Sequence, residues 1–293
     1  MKIFLIHIDM IGICLYNQEQ THLKDRNKGA ENMAETLLQA EGLCAGVAGK
    51  EILHQLDLTI GRGEVHVILG PNGSGKSTLM NVLMGHPKYE VTGGSVLWQG
   101  EDLLALPTFE RARRGLFLSF QTPEEIPGIS LENMIRTAKQ AVTGEKVKLL
   151  PFRKELEEAM EELQMAPDYA RRYLNVGFSG GEKKRAEILQ LLMLKPQLAL
   201  LDETDSGLDV DAVQIVSEGV AKFHTAENSC LIITHNARIL ARLQVDKVHV
   251  LLEGRLVEEG GPELIEEINA QGFAHLFEGH IDESSAAPIE RQA

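Results

Sequence analysis

Val65 to Thr78 reads VHVILGPNGSGKST, and the organisation of the rest of the chain can be worked out from this stretch. A strand-like run ends at Leu69, eight residues matching G-x-x-x-x-G-K-[ST] follow, and a helical pattern continues from Thr78 to Met84. The glycines let the backbone wrap tightly and aim successive N–H groups at phosphate oxygens, beside the positive end of a helix. The candidate phosphate-binding residues are Gly70, Pro71, Asn72, Gly73, Ser74, Gly75, Lys76, Ser77 and Thr78. Lys76 supplies a point charge for β- and γ-phosphates, and the Ser77 hydroxyl is a candidate ligand for Mg²⁺.

Apolar runs similar to the one before Gly70 recur at Leu198–Leu201, Leu231–Thr234 and Val248–Leu252. They are continuous rather than alternating, as expected of strands buried on both faces of a parallel sheet. Helical patterns lie between them, at Glu187 to Lys195 and Val210 to Phe223, so the core is read as α/β. Thr36 to Ile60 and Gly94 to Gln99 are short segments broken by glycine and predict a small antiparallel sheet. Pro123 to Val176 carries no strand pattern and predicts an inserted helical lobe, with PFRKELEEAMEELQM placing Pro151 at a helix start and a glutamate-rich face in solvent.

The run LALLDE, Leu198 to Glu203, brings two carboxylates to the C-terminal end of a strand, where open α/β sheets bind ligands. Asp202 is placed to orient magnesium, and Glu203 to polarise an attacking water. FSGGE, Phe178 to Glu182, then opens a helix with two glycines that expose backbone donors. This segment resembles the signature motif of the ATP-binding-cassette (ABC) family, which usually ends in Gln where this chain has Glu182. The resemblance implies an ABC ATPase fold: a RecA-like parallel sheet core, an antiparallel β subdomain and an inserted helical subdomain at about residues 123–190. It implies Mg-dependent hydrolysis of ATP to ADP and phosphate, with a second copy of the chain closing face to face across sandwiched ATP.

On this resemblance Ser179, Gly180 and Gly181 grip the γ-phosphate of ATP held by the opposite copy. Gln121, after LFLSF, corresponds to the glutamine that contacts Mg²⁺ and water, Asp209 to the loop that crosses the dimer, and His235 to the histidine that bonds the γ-phosphate. The catalytic set is then Glu203, His235 and Gln121, and the metal set Ser77, Gln121 and Asp202. One departure is that Gly42 to Glu51 lacks the aromatic residue on which the family commonly stacks adenine, which leaves Val47 to cover the base.

Lys plus Arg number 29 against 43 Asp plus Glu, a net charge of -14, which disfavours nucleic acid and anionic membranes as partners. The three cysteines, Cys14, Cys44 and Cys230, form neither a disulfide framework nor CxxC metal spacing, and Cys230 reads as a small buried hydrophobe. A reducing, cytoplasmic setting fits. Ile3 to Tyr16 is apolar but too short to span a bilayer and carries His7 and Asp9. We read residues 1–32 as a disordered or mis-assigned extension with Met33 as the natural start, 33–281 as the ATPase domain, and 282–293 as a disordered tail.

Only one cassette and no fused membrane segment are evident, which leaves two branches: the ATPase subunit of an importer with separate membrane subunits, or a cytosolic assembly ATPase. HPKYEVTGG, SFQTPEEIPGIS, NVGFSGGEKKR and LLDETDSGLDVDA resemble the SufC branch, which drives iron–sulfur cluster assembly, over residues 35 to 277. That branch implies SufB/SufD-like scaffold partners, docking around Pro123 to Asn133. A last expectation from charge placement is that Lys183 or Lys184 pairs with Glu203 and holds it away from water.

Overall fold

The computed structural model describes residues 36–234 and 237–273. Its centre is a six-stranded sheet in the order β12-β11-β3-β10-β9-β6. These strands are β3 (Val65–Leu69), β6 (Leu116–Ser119), β9 (Leu198–Asp202), β10 (Ser229–Ile233), β11 (Lys247–Leu252) and β12 (Arg255–Gly260). All neighbours run parallel except β12, which pairs antiparallel with β11 at the edge.

The continuous apolar runs have a direct explanation in this sheet. Ile68, Leu198, Leu200, Leu231 and Ile233 point into one hydrophobic core, while Val67, Ala199, Leu201, Cys230 and Ile232 point into another. With both faces covered, no position along β9 or β10 can be polar at low cost until the strand ends. Cys230 is wholly buried, and burial pushes its thiol up to about 12.

One face is covered by a second, four-stranded antiparallel sheet in the order β2-β1-β4-β5. It comprises β1 (Thr36–Val47), β2 (Lys50–Gly61), β4 (Tyr89–Trp98) and β5 (Glu101–Asp102), and helix α1 (Lys76–Met84) packs beneath it. The other face carries α5 (Gly180–Leu194) and α6 (Val210–Phe223), which join it to α3 (Leu131–Thr143) and α4 (Leu149–Glu162) of the helical lobe. A short helix α2 (Thr108–Arg113) precedes β6, and α7 (Glu263–Gln271) follows β12.

Two details depart from the sequence reading. The lobe is not wholly helical: β7 (Ile126–Ser130) and β8 (Tyr173–Leu174) form a short antiparallel ladder. Five residues containing Pro127 and Gly128 give no alternating signal, and the pairing arises only because the chain returns at Tyr173. Helix α4 also starts at Leu149, two residues before Pro151, so the proline sits within the first turn, where its missing N–H costs nothing. The glutamates of α4 face solvent while Phe152, Leu156 and Met160 are buried.

The close packing of α6 on α5 generates a test. Gly219 is in the interior of α6, where glycine ordinarily costs about 1 kcal/mol relative to alanine. A Cβ there would lie 2.5 Å from Ile188 Cγ2 and 3.0 Å from Leu163 Cδ2. Overpacking of that kind costs about 1–3 kcal/mol and outweighs the propensity gain. Gly219→Ala should therefore lower the urea midpoint and the Tm, although it places a better helix former in a helix.

Candidate functional site

Parallel register sets the geometry of the site. Ile68 of β3 pairs with Ile233 of β10, and Ile233 pairs with Asp202 of β9, while Leu201 pairs with Ser119 of β6. The C-terminal ends of four strands therefore lie in one row, and the loops that leave them converge. The Gly70–Gly75 loop leaves β3, Glu203 follows β9, and Gln121 follows β6. His235, after β10, lies outside the described residues.

These loops enclose a cleft of about 570 Å³ lined by Asn72, Gly73, Gly75, Lys76, Ser77, Thr78, Gln121 and Glu203 on one side, and by Lys50, Glu51, Ile52, His54, Glu253 and Gly254 on the other. Gly73 and Gly75 have φ values of 83° and 108°, in the left-handed region that favours glycine. No atom lies within 4 Å of where a Gly73 Cβ would be, so the loop is open above that residue. Helix α1 starts at Lys76 without a side-chain cap, which leaves its first N–H groups directed at the cleft.

The donor set fits a triphosphate with a divalent cation. The Lys76 ammonium turns back onto its own loop, donating to Gly70 O at 2.7 Å and Pro71 O at 2.9 Å, and burial lowers its pKa. Asp202 is 3% exposed and its Oδ1 has no hydrogen-bond partner, a costly state for a buried carboxylate that a bound cation would relieve. Burial first, and then the neighbouring Glu203 charge, raise its pKa, opposed by the Ser77 hydroxyl, Lys184 and Lys76. The buried Ser74 Oγ also lacks a partner.

Glu203 has φ 48°, a left-handed conformation unusual for a side-chain-bearing residue, which turns its carboxylate out of the strand line. Its Oε2 accepts from Gln121 Nε2 at 2.7 Å. The expected pairing of Glu203 with Lys183 or Lys184 does not occur. Lys183 Nζ pairs with Glu125 Oε1 at 3.0 Å, and the buried Lys184 donates to Phe120 O at 2.6 Å and contacts Glu187 at 3.3 Å. Both lysines point along α5 towards the segment after β6, which a reading of charge along the sequence does not show.

Ser179, Gly180 and Gly181 do not line this cleft, and neither does Asp209. Ser179 and Gly180 are exposed at the N-terminus of α5. Glu182 does more than sit tolerably in the first turn: Ser179 Oγ accepts from Glu182 N at 3.3 Å while Glu182 Oε2 accepts from Ser179 N at 2.7 Å, a capping box. The Tyr169 hydroxyl donates to the same carboxylate, and this contact and the Ser179 N–H hold Glu182 below the usual carboxylate range. Tyr169 in turn packs edge-on against Phe178 and under the Arg172 guanidinium at 4.4 Å. The S-x-x-E spacing could have revealed the box; Tyr169 and Arg172 carried no signal of their own. Asp209 is the N-cap of α6, accepting from Ala212 N at 2.8 Å.

Val47, the residue expected to cover the base, is the last residue of β1. Val47 does not line the cleft, because β1 ends there and the wall is built from the start of β2. Among the lining residues His54 carries the single ring, held by Glu51 through Nδ1 at 2.8 Å.

A glycine loop after a buried strand, two carboxylates at the end of another, and a glutamine between them define a P-loop nucleoside triphosphatase. The ABC transporter family model matches residues 53–206. Vegetative protein 296 of Bacillus subtilis is 48% identical over 243 residues, covering 82% of this chain and 93% of its own length. A probable ATP-dependent transporter of Synechocystis is 47% identical over 261 residues, covering 88% of this chain and all of its own. Among solved structures, a nucleotide-free ATP-binding cassette from an ABC transporter superposes with a TM-score of 0.67 at 25% identity, covering 85% of this chain and 100% of that one. A dimeric post-hydrolysis cassette bound to ADP and Pi shares the fold with a TM-score of 0.67 at 20% identity, covering 77% of this chain and 98% of that one. The chain belongs to the ABC transporter family and is an ATPase whose cofactors are ATP and Mg²⁺.

The orphaned carboxylate has a thermodynamic consequence. The folded state raises the Asp202 pKa, so it binds a proton more readily than the unfolded state, and ionising the group above that pKa costs stability. Asp202→Asn removes this cost. In the absence of nucleotide the variant should melt above the wild type at pH 8, and the gap should close as pH falls and Asp202 takes up its proton. The same variant should lose hydrolysis. Melting curves across pH check the first outcome, and phosphate release the second.

Proposed function

We propose that the chain is the ATP-hydrolysing subunit of a cytosolic iron–sulfur cluster assembly complex, in which ATP-driven closure of two copies reshapes a SufB/SufD-like scaffold. The phosphate loop, residues 70–78, binds the phosphates through its backbone, and Lys76 leaves its loop carbonyls to reach them. Ser77 and Asp202 hold the magnesium, with Gln121 within reach. When bound, that ion neutralises charge on the β- and γ-phosphates. Glu203 orients the attacking water, and Gln121, hydrogen-bonded to Glu203, carries information from the surface to it. His235 is assigned to the γ-phosphate by resemblance.

The signature supports a shared site. Its donors sit on an exposed helix end outside the cleft that holds the phosphate loop, so each chain carries half of what surrounds ATP. Ser179 accepts within the capping box, which leaves its O–H free to donate to a phosphate oxygen. Asp209, exposed at its cap position, stands beside that face.

One observation carries the choice of load. EIPG after Gln121 and GEKKR after the signature, the segments whose resemblance favours the SufC branch over importer ATPases, meet in space. Lys183 pairs with Glu125, Asn175 Nδ2 donates to Glu124 O at 2.8 Å, and Lys184 donates to Phe120 O. Beside them lies an apolar cavity of about 200 Å³ walled by Leu116, Phe117, Phe120, Pro123, Val142 and Leu194, one residue from Gln121. That cavity and the Pro123 to Asn133 segment form the docking surface for the scaffold. The cluster's sulfur ligands come from the partner, since a cluster needs about four convergent ligands and this chain has three scattered cysteines, of which Cys230 is sealed in the core. Among the described residues no helix is long and apolar enough to cross a membrane. The transporter names of the relatives favour a second reading, the ATPase subunit of an importer with separate membrane subunits.

Purification from the native host separates the two readings: soluble scaffold proteins are expected, and recovery of a membrane permease instead would overturn the assembly reading. For the closure step, Glu203→Gln should bind ATP, lose hydrolysis by at least about a hundredfold, and shift to a dimer by light scattering with Mg-ATP. A monomer under those conditions, with scaffold proteins added, would contradict shared-site closure.

A further inference from the structure

The buried pair Lys184–Glu187 has no part in the hydrolytic roles assigned so far, yet it is among the least exposed charged groups described, at 4% for each residue. Glu187 Oε1 accepts from Phe120 N at 2.7 Å, its Oε2 faces Lys184 Nζ at 3.3 Å, and Lys184 Nζ donates to Phe120 O at 2.6 Å. Two side chains one turn apart on α5 therefore hold both backbone polar groups of a single residue. Phe120 is the first residue past the end of β6. Its carbonyl belongs to the same planar peptide as the Gln121 N–H, so fixing one fixes the direction in which Gln121 leaves.

We propose that Lys184 and Glu187 are positioning residues for hydrolysis: their ion pair clamps the Phe120 backbone and thereby sets Gln121 against Glu203. The inference rests on the reading of Gln121 and Glu203 as parts of the hydrolytic site. Two physical points support it. Gln121 is exposed and rotamer-rich, so its 2.7 Å bond to Glu203 depends on a fixed backbone anchor. An ion pair is an inefficient way to fill a core, because desolvating two charges offsets most of their attraction. Phe120 and Glu187 line the apolar cavity as well, so an occupant of that cavity bears on the clamp itself.

The test is Lys184→Met combined with Glu187→Leu, in the full chain, alone and together with Gln121→Ala. The pair variant should fold cooperatively with a Tm below wild type, because the Phe120 N–H and C=O lose their side-chain partners, yet bind ADP without magnesium within about twofold of wild type and lose roughly ten- to a hundredfold in kcat with little change in KM. In the Gln121→Ala background the pair variant should add less than about twofold, because both changes remove one and the same device. Wild-type kcat in the pair variant, losses that multiply in the combined variant, or a parallel fall in ADP affinity would each overturn the clamp. Should the pair variant fail to fold, Glu187→Gln, which keeps an acceptor for Phe120 N–H but loses the charge, is expected to lose kcat less than Glu187→Ala, and equal activities would overturn the idea. If Gln121→Ala alone hydrolyses ATP at the wild-type rate, the reading of Gln121 itself fails; if it is slow while the pair variant is not, only the clamp does.

Discussion

The parallel hydrogen-bond register of β3, β10, β9 and β6 is the constraint on which the rest of the molecule depends. A slip of one residue in β9 against β10 would turn Asp202 from the side it shares with Leu198 and Leu200 to the face occupied by Ala199 and Leu201, and would take Glu203 away from Gln121. Register is pinned by packing, because alternate residues of these strands serve two different cores and neither core accepts the other's side chains without voids or clashes. The apolar runs that look uninformative one residue at a time are therefore what aligns the charged ends. Stability is supplied along the strands, and chemistry is confined to the residues just past them.

The site itself is held in a state that folding alone does not favour. Asp202 is buried with an unpartnered oxygen, Glu203 sits at positive φ, and Lys76 spends its charge on the carbonyls of its own loop. Each feature costs free energy in the nucleotide-free chain, and each is relieved or put to use by a polyphosphate with a cation. Surrounding rigidity makes this tolerable: the Asp202 N–H is held by Ser119 Oγ at 3.2 Å, the Glu203 N–H by Ile233 O at 3.0 Å, and the Thr234 hydroxyl by Asp205 at 2.9 Å.

Sequence legibility divides along a physical line. Features encoded within a few consecutive residues were readable: the glycine loop, the carboxylates after LALL, the signature glycines, the two-faced strands and the solvated glutamates of α4. Features that depend on where a long side chain reaches were not. Lys183 and Lys184 look as though they could reach Glu203, but their positions on α5 direct one to Glu125 and the other to Phe120, because consecutive helix residues point in different directions and neither leads to Glu203. The β7–β8 ladder and the His54 wall escaped for the same reason, since each is made by a chain return from a distant position. The capping box at Ser179 and Glu182 lies between the classes: its spacing is local and legible, while the Tyr169 brace that completes it is not.

Electrostatics connect the signature to the proposed division of the nucleotide between two copies. A carboxylate near a γ-phosphate would ordinarily repel it, and Glu182 stands at the helix end assigned to that phosphate. Here the charge is already engaged by the Ser179 N–H, the Tyr169 hydroxyl and the helix dipole, with Arg185 acting on it as well. The residue thus organises the loop that presents Ser179 and Gly180 while its negative field is largely answered before any phosphate arrives. On the proposed reading, the substitution of Glu for the usual Gln keeps the donors ordered in the isolated chain. Two copies would then meet with rigid rather than frayed helix ends, and the entropy of arranging those ends would not be drawn from the binding of ATP.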